Sequence, residues 1–268
     1  MRTALVTGAT DGIGLETARQ LTALGWRVLV HGRNPQRTEH ALRTIAGDGR
    51  DVQVEPVWAD LSRMSEVVLL AAQVKERAPV LDVLINNAGV FEPRRQVTGE
   101  GFELTMAVNH FAAFLLTHHL LSVVARAPAG RIVTVSSMAH QSGSLDLEDL
   151  TFSRRYDGYA AYSASKLANV LFTVELARRI EGTETTANCL HPGVIATKLL
   201  RRGFGMGGAP VTEGARTSVY LATSPEVAGV SGRYFVDCRP ATPSRSARDA
   251  ALAARLWEES ERLLAAFL

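Results

Sequence analysis

Short apolar, β-branched runs alternate with amphipathic stretches along almost the whole chain. The run TALVT at 3–7 predicts a strand, and LETARQLTAL at 15–24, with apolar residues three or four positions apart, predicts a helix that ends at Gly25. Strand-like runs recur at 26–32, 51–60, 81–86, 131–137, 185–190 and 232–237. Helical stretches recur at 35–47, 62–77, 102–125, 159–180, 213–223 and from about 246 onwards.

Continuous apolar strands separated by helices are typical of a parallel sheet that helices cover on both faces. The sequence contains no repeat, low-complexity segment or shift in composition that would divide it. We therefore predict an α/β protein with one doubly wound domain over 1–268 and a parallel sheet of about seven strands. The glycines at 203–208 indicate a loop, and we expect residues around 200–212 to form a substrate loop.

Composition and charge exclude several classes of protein. The chain is 46% hydrophobic and 21% charged, and its net charge of +2 is spread along the sequence, so we predict neither nucleic acid nor a membrane as a partner. Two cysteines and the pair His118-His119 lack metal-ligand spacing, so we predict no metal site. No signal peptide or long apolar span is apparent, and we expect a soluble, cytoplasmic protein.

The segment TGATDGIG at 7–14 lies between the first strand and the first helix. Gly8 suits a tight turn, Gly12 lets a pyrophosphate approach the backbone, and Gly14 lets the helix pack on the strand. The helix N-terminus offers free N–H groups and a partial positive charge to phosphate. The segment predicts a dinucleotide site, and the alternative is a purely structural strand-to-helix turn.

The end of the second strand indicates which dinucleotide binds. An acidic residue there would bind the ribose hydroxyl of NAD, but HGRNP at 31–35 offers Arg33, and no carboxylate follows until Glu39. A guanidinium forms bidentate, charge-assisted bonds with a 2′-phosphate. We therefore predict NADP(H) as the cofactor; the alternative is a solvated surface arginine.

Several motifs occur in a characteristic order: TGATDGIG, NNAG at 86–89, Asn109, Ser137 and YSASK at 162–166. In this order, and over nearly the full chain, the sequence resembles the short-chain dehydrogenase/reductase family. The stretch from 161 to 197 and VSGRYFVDC at 230–238 are similar to its retinol dehydrogenase and protochlorophyllide reductase branch. The resemblance implies a Rossmann-type fold and hydride transfer to or from a nicotinamide cofactor.

Tyr162 and Lys166 are four positions apart and share one face of a predicted helix. A nearby ammonium would lower the pKa of the phenol from about 10, which suits an acid/base group. The resemblance implies that Tyr162 is that group and that Lys166 also holds the nicotinamide ribose. It further implies that Ser137, with Ser136 as its rival, bonds the substrate oxygen, and that Asn109 orders a water; the alternative for Asn109 is a satisfied core amide.

The cofactor site predicted from these motifs and the resemblance draws on segments from both halves of the chain. For Asn86, two roles stay open: a structural role in the central sheet and direct contact with the cofactor. The predicted cofactor-binding residues are Gly8, Thr10, Asp11, Gly12, Ile13, Gly14, Arg33, Asp60, Leu61, Asn87, Ala88, Gly89, Tyr162, Lys166, Pro192, Gly193, Val194 and Thr197.

One departure from the family pattern is the distance of 25 positions between Ser137 and Tyr162, about twice that of many members. The additional segment, roughly 141–157, would shape the pocket or hinder the dimer that is the family default, so a homo-oligomer stays open. Five residues are candidate pocket walls, and the alternative for each is ordinary packing: Met138, His140, Phe152, Tyr156 and Phe204.

The sequence thus predicts an NADP(H)-dependent oxidoreductase that interconverts a carbonyl and an alcohol on a small, apolar substrate. One alternative is a reductase of carbon–carbon double bonds that uses the same Tyr162 and Lys166. A second alternative, from another class, is a catalytically idle NADP-binding regulatory module. The complete set of Asn109, Ser137, Tyr162 and Lys166 argues against this module, because binding without turnover does not need all four.

Overall fold

The computed structural model describes residues 1–47, 53–205 and 207–268, and of residues 202 and 204 it describes the backbone only. Within these residues, one sheet has the strand order β3-β2-β1-β4-β5-β6-β7-β8. The strands are β1 Thr3–Val6, β2 Arg27–Gly32, β3 Val54–Trp58, β4 Val83–Asn86, β5 Arg131–Val135, β6 Thr186–His191, β7 Tyr234–Val236 and β8 Arg239–Ala241. Strands β1 to β7 pair in parallel, which confirms the predicted doubly wound α/β sheet of about seven strands.

The eighth strand is the part of the sheet that the sequence pattern does not predict. Strand β8 pairs antiparallel with β7 through a tight turn at Asp237 and Cys238, both with positive φ. It is three residues long and contains Pro240, which is tolerated because β8 lies at the edge of the sheet. So short a strand shows no alternation of apolar and polar residues.

Helices cover both faces of the sheet. Their bounds are α1 Gly12–Ala23, α2 Pro35–Ala46, α3 Met64–Arg77, α4 Leu104–Met106, α5 Ala112–Val124, α6 Gly158–Arg179, α7 Lys198–Phe204, α8 Val211–Thr223 and α9 Ala250–Leu264. Helix α1 begins earlier than its apolar pattern because the Asp11 carboxylate accepts the N–H of Gly12 and caps it. Helices α7 and α8 include residues 200–204 and 211–212, which is a correction to the two ends of the predicted loop at 200–212; the hydroxyl of Thr197 caps α7.

Helices α4 and α5 are two ends of one long helix, joined by a π-helical turn at Ala107–Phe111. Within the described residues this helix, Leu104–Val124, is the one that is long and apolar enough to cross a membrane, and 78% of its 18-residue apolar stretch is buried inside the protein. Its composition therefore matches its place in the core. The ring of Phe114 packs against that of Trp257 on α9, with centroids 4.8 Å apart.

Alternate residues of each strand face opposite layers of helices. In β1, Ala4 and Val6 join one buried cluster with residues of α1, α2 and α8, while Leu5 joins a larger cluster with residues of α3, α5, α6 and α9. Both faces of the strands are therefore apolar, as the sequence pattern predicts. Strands β1 and β4 are neighbours, and the chain winds outwards from them in both directions, which leaves a crevice beyond their carboxyl ends.

Candidate active site

A cavity of about 530 Å³ opens beyond the carboxyl ends of β1, β4 and β5. It brings together segments that are far apart in sequence: the glycine loop, the ends of β2 and β4, the residues after β5, helix α6 and the stretch from 191 to 200. All eighteen predicted cofactor-binding residues line this cavity, and so does Ser137. Asn109 and Asn86 do not.

The glycine loop has the close contacts that its three glycines permit. Gly8 has φ +64°, and a Cβ there would lie 2.9 Å from the Cα of Ala88. A Cβ on Gly14 would lie 2.4 Å from the carbonyl oxygen of Gly8 and from Nδ2 of Asn87. Gly12 has φ +55° and faces Thr197. The glycines thus bring three backbone segments together, and Gly14 lets α1 pack against the end of β1.

His31 holds the glycine loop through a side-chain hydrogen bond, a role that the sequence analysis did not predict. Its Nδ1 accepts the N–H of Gly8 at 3.0 Å, and its Nε2 lies 3.2 Å from the carbonyl oxygen of Ala59. One ring therefore connects the ends of β1, β2 and β3. Burial lowers the pKa of His31 to about 4, so the ring is neutral. A polar residue within an apolar strand is the signal that could have revealed it.

Three cationic side chains line one end of the cavity. Arg33 follows β2 as predicted and lies 4.0 Å from Asp60, whereas Arg37, one turn into α2, lies 3.6 Å from Asp11. Lys198, the first residue of α7, also pairs with Asp11. The sequence analysis did not identify Arg37 or Lys198 as cofactor-binding residues. Arg37 lies within α2 and Lys198 within α7, whereas the predicted Arg33 directly follows β2. Together these cations give this end of the cavity a local excess of positive charge.

The other end of the cavity holds the predicted catalytic side chains. Tyr162 and Lys166 lie on one face of α6, as their spacing predicts, and the hydroxyl of Ser137 hydrogen-bonds the phenol of Tyr162. The Lys166 ammonium donates to the carbonyl oxygen of Val135 at 3.1 Å and lies 5.7 Å from the centre of the Tyr162 ring. Ser136 points away, donating to the carbonyl oxygen of Lys166 at 2.7 Å. Its hydroxyl is thereby engaged, which favours Ser137 for contact with substrate.

The pKa expected for Tyr162 is wrong in direction. Burial raises the pKa of Tyr162 to about 12, although the hydrogen bond with Ser137 opposes the shift. Burial also lowers the pKa of Lys166 to about 8. The physical reason is that both groups are removed from water, and desolvation disfavours the charged form of each. The phenol is therefore protonated at neutral pH in this structure.

Asn109 lies in the π-helical turn and is buried beside the catalytic helix. Its Oδ1 accepts the N–H of Val90 at 2.7 Å, and its Nδ2 donates to the carbonyl oxygen of Val90 at 3.0 Å and to the hydroxyl of Ser165 at 2.9 Å. A Cβ on Gly89 would lie 3.4 Å from both Asn109 Oδ1 and Lys166 Nζ, so all three residues meet. The interpretation as a satisfied amide describes this geometry, and the role in ordering water stays a prediction.

The additional segment 141–157 is not a wall of this cavity: none of its described residues lines it. Of the expected pocket walls, Met138 lines the cavity, whereas His140, Phe152 and Tyr156 do not. Tyr156 instead donates to the carbonyl oxygen of Glu92 at 2.7 Å, because its segment folds back on the preceding loop. The side chain of Phe204 lies outside the described residues.

Asn86 is structural, since its Nδ2 donates to the hydroxyl of Thr117 at 2.9 Å inside the core. The neighbouring Asn87 is the residue of the pair that reaches the cavity, and its Nδ2 donates to the carbonyl oxygen of Thr7 at 2.7 Å. Adjacent strand-end residues point to opposite sides, which separates the roles of the two asparagines.

Comparisons with known proteins agree with this geometry. A sequence model of the short chain dehydrogenase family matches residues 2–204. Retinol dehydrogenase 14 of Mus musculus is 42% identical over 284 residues, covering 97% of this chain and 85% of its own length. A crystal structure of an uncharacterized protein from Mycobacterium Paratuberculosis aligns with a TM-score of 0.83 at 38% identity, covering 98% of this chain and 93% of that chain. The landomycin C-6 ketoreductase LanV, solved with bound NADP and rabelomycin, aligns with a TM-score of 0.70 at 28% identity, covering 88% and 94%.

A glycine loop suited to binding phosphate shares one cavity with Ser137 and the buried Tyr162 and Lys166, and this combination defines the class, an oxidoreductase that binds a nicotinamide cofactor. Glycine backbone, cationic side chains and apolar walls together fit such a dinucleotide. The chain belongs to the short-chain dehydrogenase family, and to its retinol dehydrogenase-like branch.

Proposed function

We propose that the protein is an NADP(H)-dependent oxidoreductase that interconverts a carbonyl and an alcohol on a small, apolar substrate. The observation that carries the proposal is that one cavity joins Ser137, Tyr162 and Lys166 to the glycine loop and to Arg33. When bound, the cofactor would supply or accept the hydride. The chain itself has to bind the dinucleotide, orient the substrate oxygen and move one proton.

The preference for NADP(H) rests on the charges at the exit of β2. Arg33 and Arg37 both line the cavity, and Arg33 has a largely exposed side chain that is free to turn towards a ligand. Two guanidinium groups near one ribose would hold a 2′-phosphate by charge-assisted hydrogen bonds. The LanV ketoreductase, a structural relative solved with bound NADP, supports the same choice.

The roles of the three reacting side chains follow from their protonation and contacts. Burial keeps Tyr162 a neutral phenol, so in carbonyl reduction it donates its proton to the substrate oxygen. Ser137, already bonded to that phenol, donates a hydrogen bond to the same oxygen and stabilises its developing charge. Lys166 lies behind the phenol and stabilises the tyrosinate that remains after the proton has left.

The apolar character of the substrate is inferred from the mouth of the cavity. Met138, Tyr159 and Val194 line it, and each exposes roughly half of its surface although it is hydrophobic. Leu199 and Leu200 on α7 add apolar surface beside them. A substrate with aliphatic or aromatic groups would cover these side chains, and their removal from water would contribute to its binding free energy. The segment around 200–212 is then the proposed substrate loop.

Cofactor titration tests the first half of the proposal. We expect NADPH, followed by its fluorescence, to bind more tightly than NADH, and Arg33→Ala to weaken NADPH binding by about tenfold to a hundredfold, since one charged hydrogen-bonding partner contributes about 1.5–3 kcal/mol. The matched control is Arg63→Ala, because Arg63 is an exposed arginine paired with Glu66 outside the cavity. Equal or tighter binding of NADH would overturn the preference for NADP(H).

Product analysis tests the second half and separates the alternatives. With NADPH and cyclohexenone, we expect cyclohexenol, the product of carbonyl reduction; cyclohexanone would indicate a carbon–carbon double-bond reductase instead. Tyr162→Phe should retain NADPH binding and lose turnover. If neither the wild type nor the variant turns over any of a panel of small apolar aldehydes and ketones, while both bind NADPH, the idle binding module becomes the better interpretation.

The cytoplasmic location and the oligomeric state remain predictions. We propose that the protein acts in the cytoplasm on a freely diffusing small molecule. Fractionation of cells that express the chain tests this: recovery with the membrane pellet after a high-salt wash would contradict it. Size-exclusion chromatography with light scattering gives the oligomeric state.

A further inference from the structure

Two buried histidines bind the peptide group that joins Ser137 to Met138. The ring of His140 is fully buried, and its Nδ1 lies 2.7 Å from the carbonyl oxygen of Ser137. His191, at the end of β6, uses its Nδ1 to accept the N–H of Met138 at 3.2 Å. Ser137 lies two residues after β5 and caps the 3-10 turn Met138–Ser142, so these bonds fix the chain at the point from which its hydroxyl projects.

The second ring nitrogen of His140 settles which nitrogen carries the proton. Its Nε2 accepts the N–H of Ser244 at 3.1 Å, so Nε2 is unprotonated and Nδ1 is the donor to Ser137. The ring is also packed against Tyr234, with centroids 4.8 Å apart. Ser244 lies outside residues 2–204, which the family model matches. A C-terminal segment therefore fixes the tautomer of a histidine that is bonded to Ser137 from outside the cavity.

Both rings are neutral in this arrangement, because each accepts a backbone N–H. Burial lowers the pKa of His140, and burial, together with the repulsion that a protonated His140 would exert, lowers the pKa of His191 to about 4, in agreement with the hydrogen bonds. Neither ring touches Tyr162 through any hydrogen bond described for it. Their connection to the chemistry runs through Ser137.

We propose that His140 and His191 are positioning residues for the hydroxyl of Ser137, and that Ser244 sets the tautomer in which His140 can do this. The inference rests on the proposed role of Ser137 in carbonyl reduction. A displacement of about 1 Å in a reacting group can lower a rate by about a hundredfold. We therefore expect loss of the His140 bond to lower kcat by about tenfold to a hundredfold, with NADPH affinity unchanged because His140 does not line the cavity.

The first test compares two substitutions at one position, with NADPH and cyclohexenone or the best carbonyl of the panel. His140→Leu removes both hydrogen bonds, whereas His140→Asn retains a side-chain N–H near the position of Nδ1. We expect the asparagine variant to recover most of the kcat that the leucine variant loses, at equal NADPH affinity. His118→Leu, a partly buried histidine outside the site, is the matched control and should keep the kcat of the wild type. Equal losses of kcat in the leucine and asparagine variants would overturn the proposal.

The second test is a double-mutant cycle with Ser137→Ala. Removing an oxyanion donor lowers kcat by about a hundredfold to a thousandfold. If His140 acts through Ser137, adding His140→Leu to Ser137→Ala causes little further loss; a further loss equal to that in the wild-type background would overturn the proposal. If His140→Leu does not fold, His191→Leu and His191→Asn replace it, since asparagine can still accept the N–H of Met138.

The cycle also separates the two proposals. If Tyr162→Phe abolishes turnover and the cycle is additive, the proposed function stands and the positioning role falls. If Ser137→Ala turns over as fast as the wild type, the positioning role falls with the role of Ser137, whereas the binding of NADPH to the glycine loop is unaffected.

Discussion

His31, beside the glycine loop of the cofactor site, contributes to the stability of the folded protein, and acid removes this contribution. In the folded protein its ring is neutral, because Nδ1 accepts the N–H of Gly8 and burial lowers its pKa from 6.5 to about 4. Between these two values the unfolded chain binds more protons than the folded one, so the contribution is fully present above pH 6.5 and is lost as the pH falls towards 4. At pH 5 the loss amounts to about 2 kcal/mol.

Urea unfolding at pH 7 and pH 5, followed by tryptophan fluorescence, measures this loss. Relative to His31→Leu, the wild type should lose about 2 kcal/mol more of its free energy of unfolding between the two pH values, whatever the leucine variant loses at pH 7. The control is Val30→Ala, a buried neighbour on β2 that does not titrate and should keep the pH dependence of the wild type. If His31→Leu shows the same pH dependence as the wild type, the assignment of a neutral, buried His31 is refuted.

Two substitutions test the packing around the site. Gly14→Ala would place a Cβ 2.4 Å from the carbonyl oxygen of Gly8, so we expect loss of NADPH binding in titration; Gly99→Ala, with open space around it, is the control, and unchanged binding in Gly14→Ala would contradict the proposed loop geometry. Trp257→Ala removes a ring stacked on Phe172 with centroids 5.8 Å apart, and should lower the free energy of unfolding by about 3–5 kcal/mol; a loss below about 1 kcal/mol in urea unfolding would show that α9 is not part of the core.

Local patterns predict much of the fold because most strands and helices, though not β8 or α7, have the periodicity of their own secondary structure. Both faces of the sheet are covered, so strands read as apolar runs, and the alternation with helices fixes a parallel, doubly wound arrangement. The glycine loop and the pair Tyr162 and Lys166 were also accessible to prediction, since their geometry depends on a strand-to-helix turn and on one helical turn. These features require no knowledge of distant contacts.

The features that the sequence does not predict depend on contacts between distant segments. The π-helical turn that carries Asn109 forms within a helix in which Asn109 and His110 interrupt the apolar run, and this interruption alone does not predict a π-helical turn. Lys198 reaches Asp11 only because α7 returns to the glycine loop. The pKa of Tyr162 was predicted with the wrong sign for the same reason: spacing places an ammonium nearby, but the depth of burial, which determines the desolvation, is a property of the whole fold.

Three buried histidines accept backbone N–H groups that lie beyond the ends of strands. Two or three residues beyond the end of a strand, a backbone N–H has no partner in the sheet, and its burial without an acceptor would cost stability. His31 supplies a neutral ring nitrogen as that acceptor to Gly8 in the glycine loop, His191 supplies one to Met138 beside Ser137, and His140 supplies one to Ser244. A protonated imidazole has no acceptor, so acid breaks all three bonds. Burial lowers the pKa of His31 and that of His191 to about 4, so the glycine loop and the peptide group after Ser137 should lose these two bonds over one range of acidic pH.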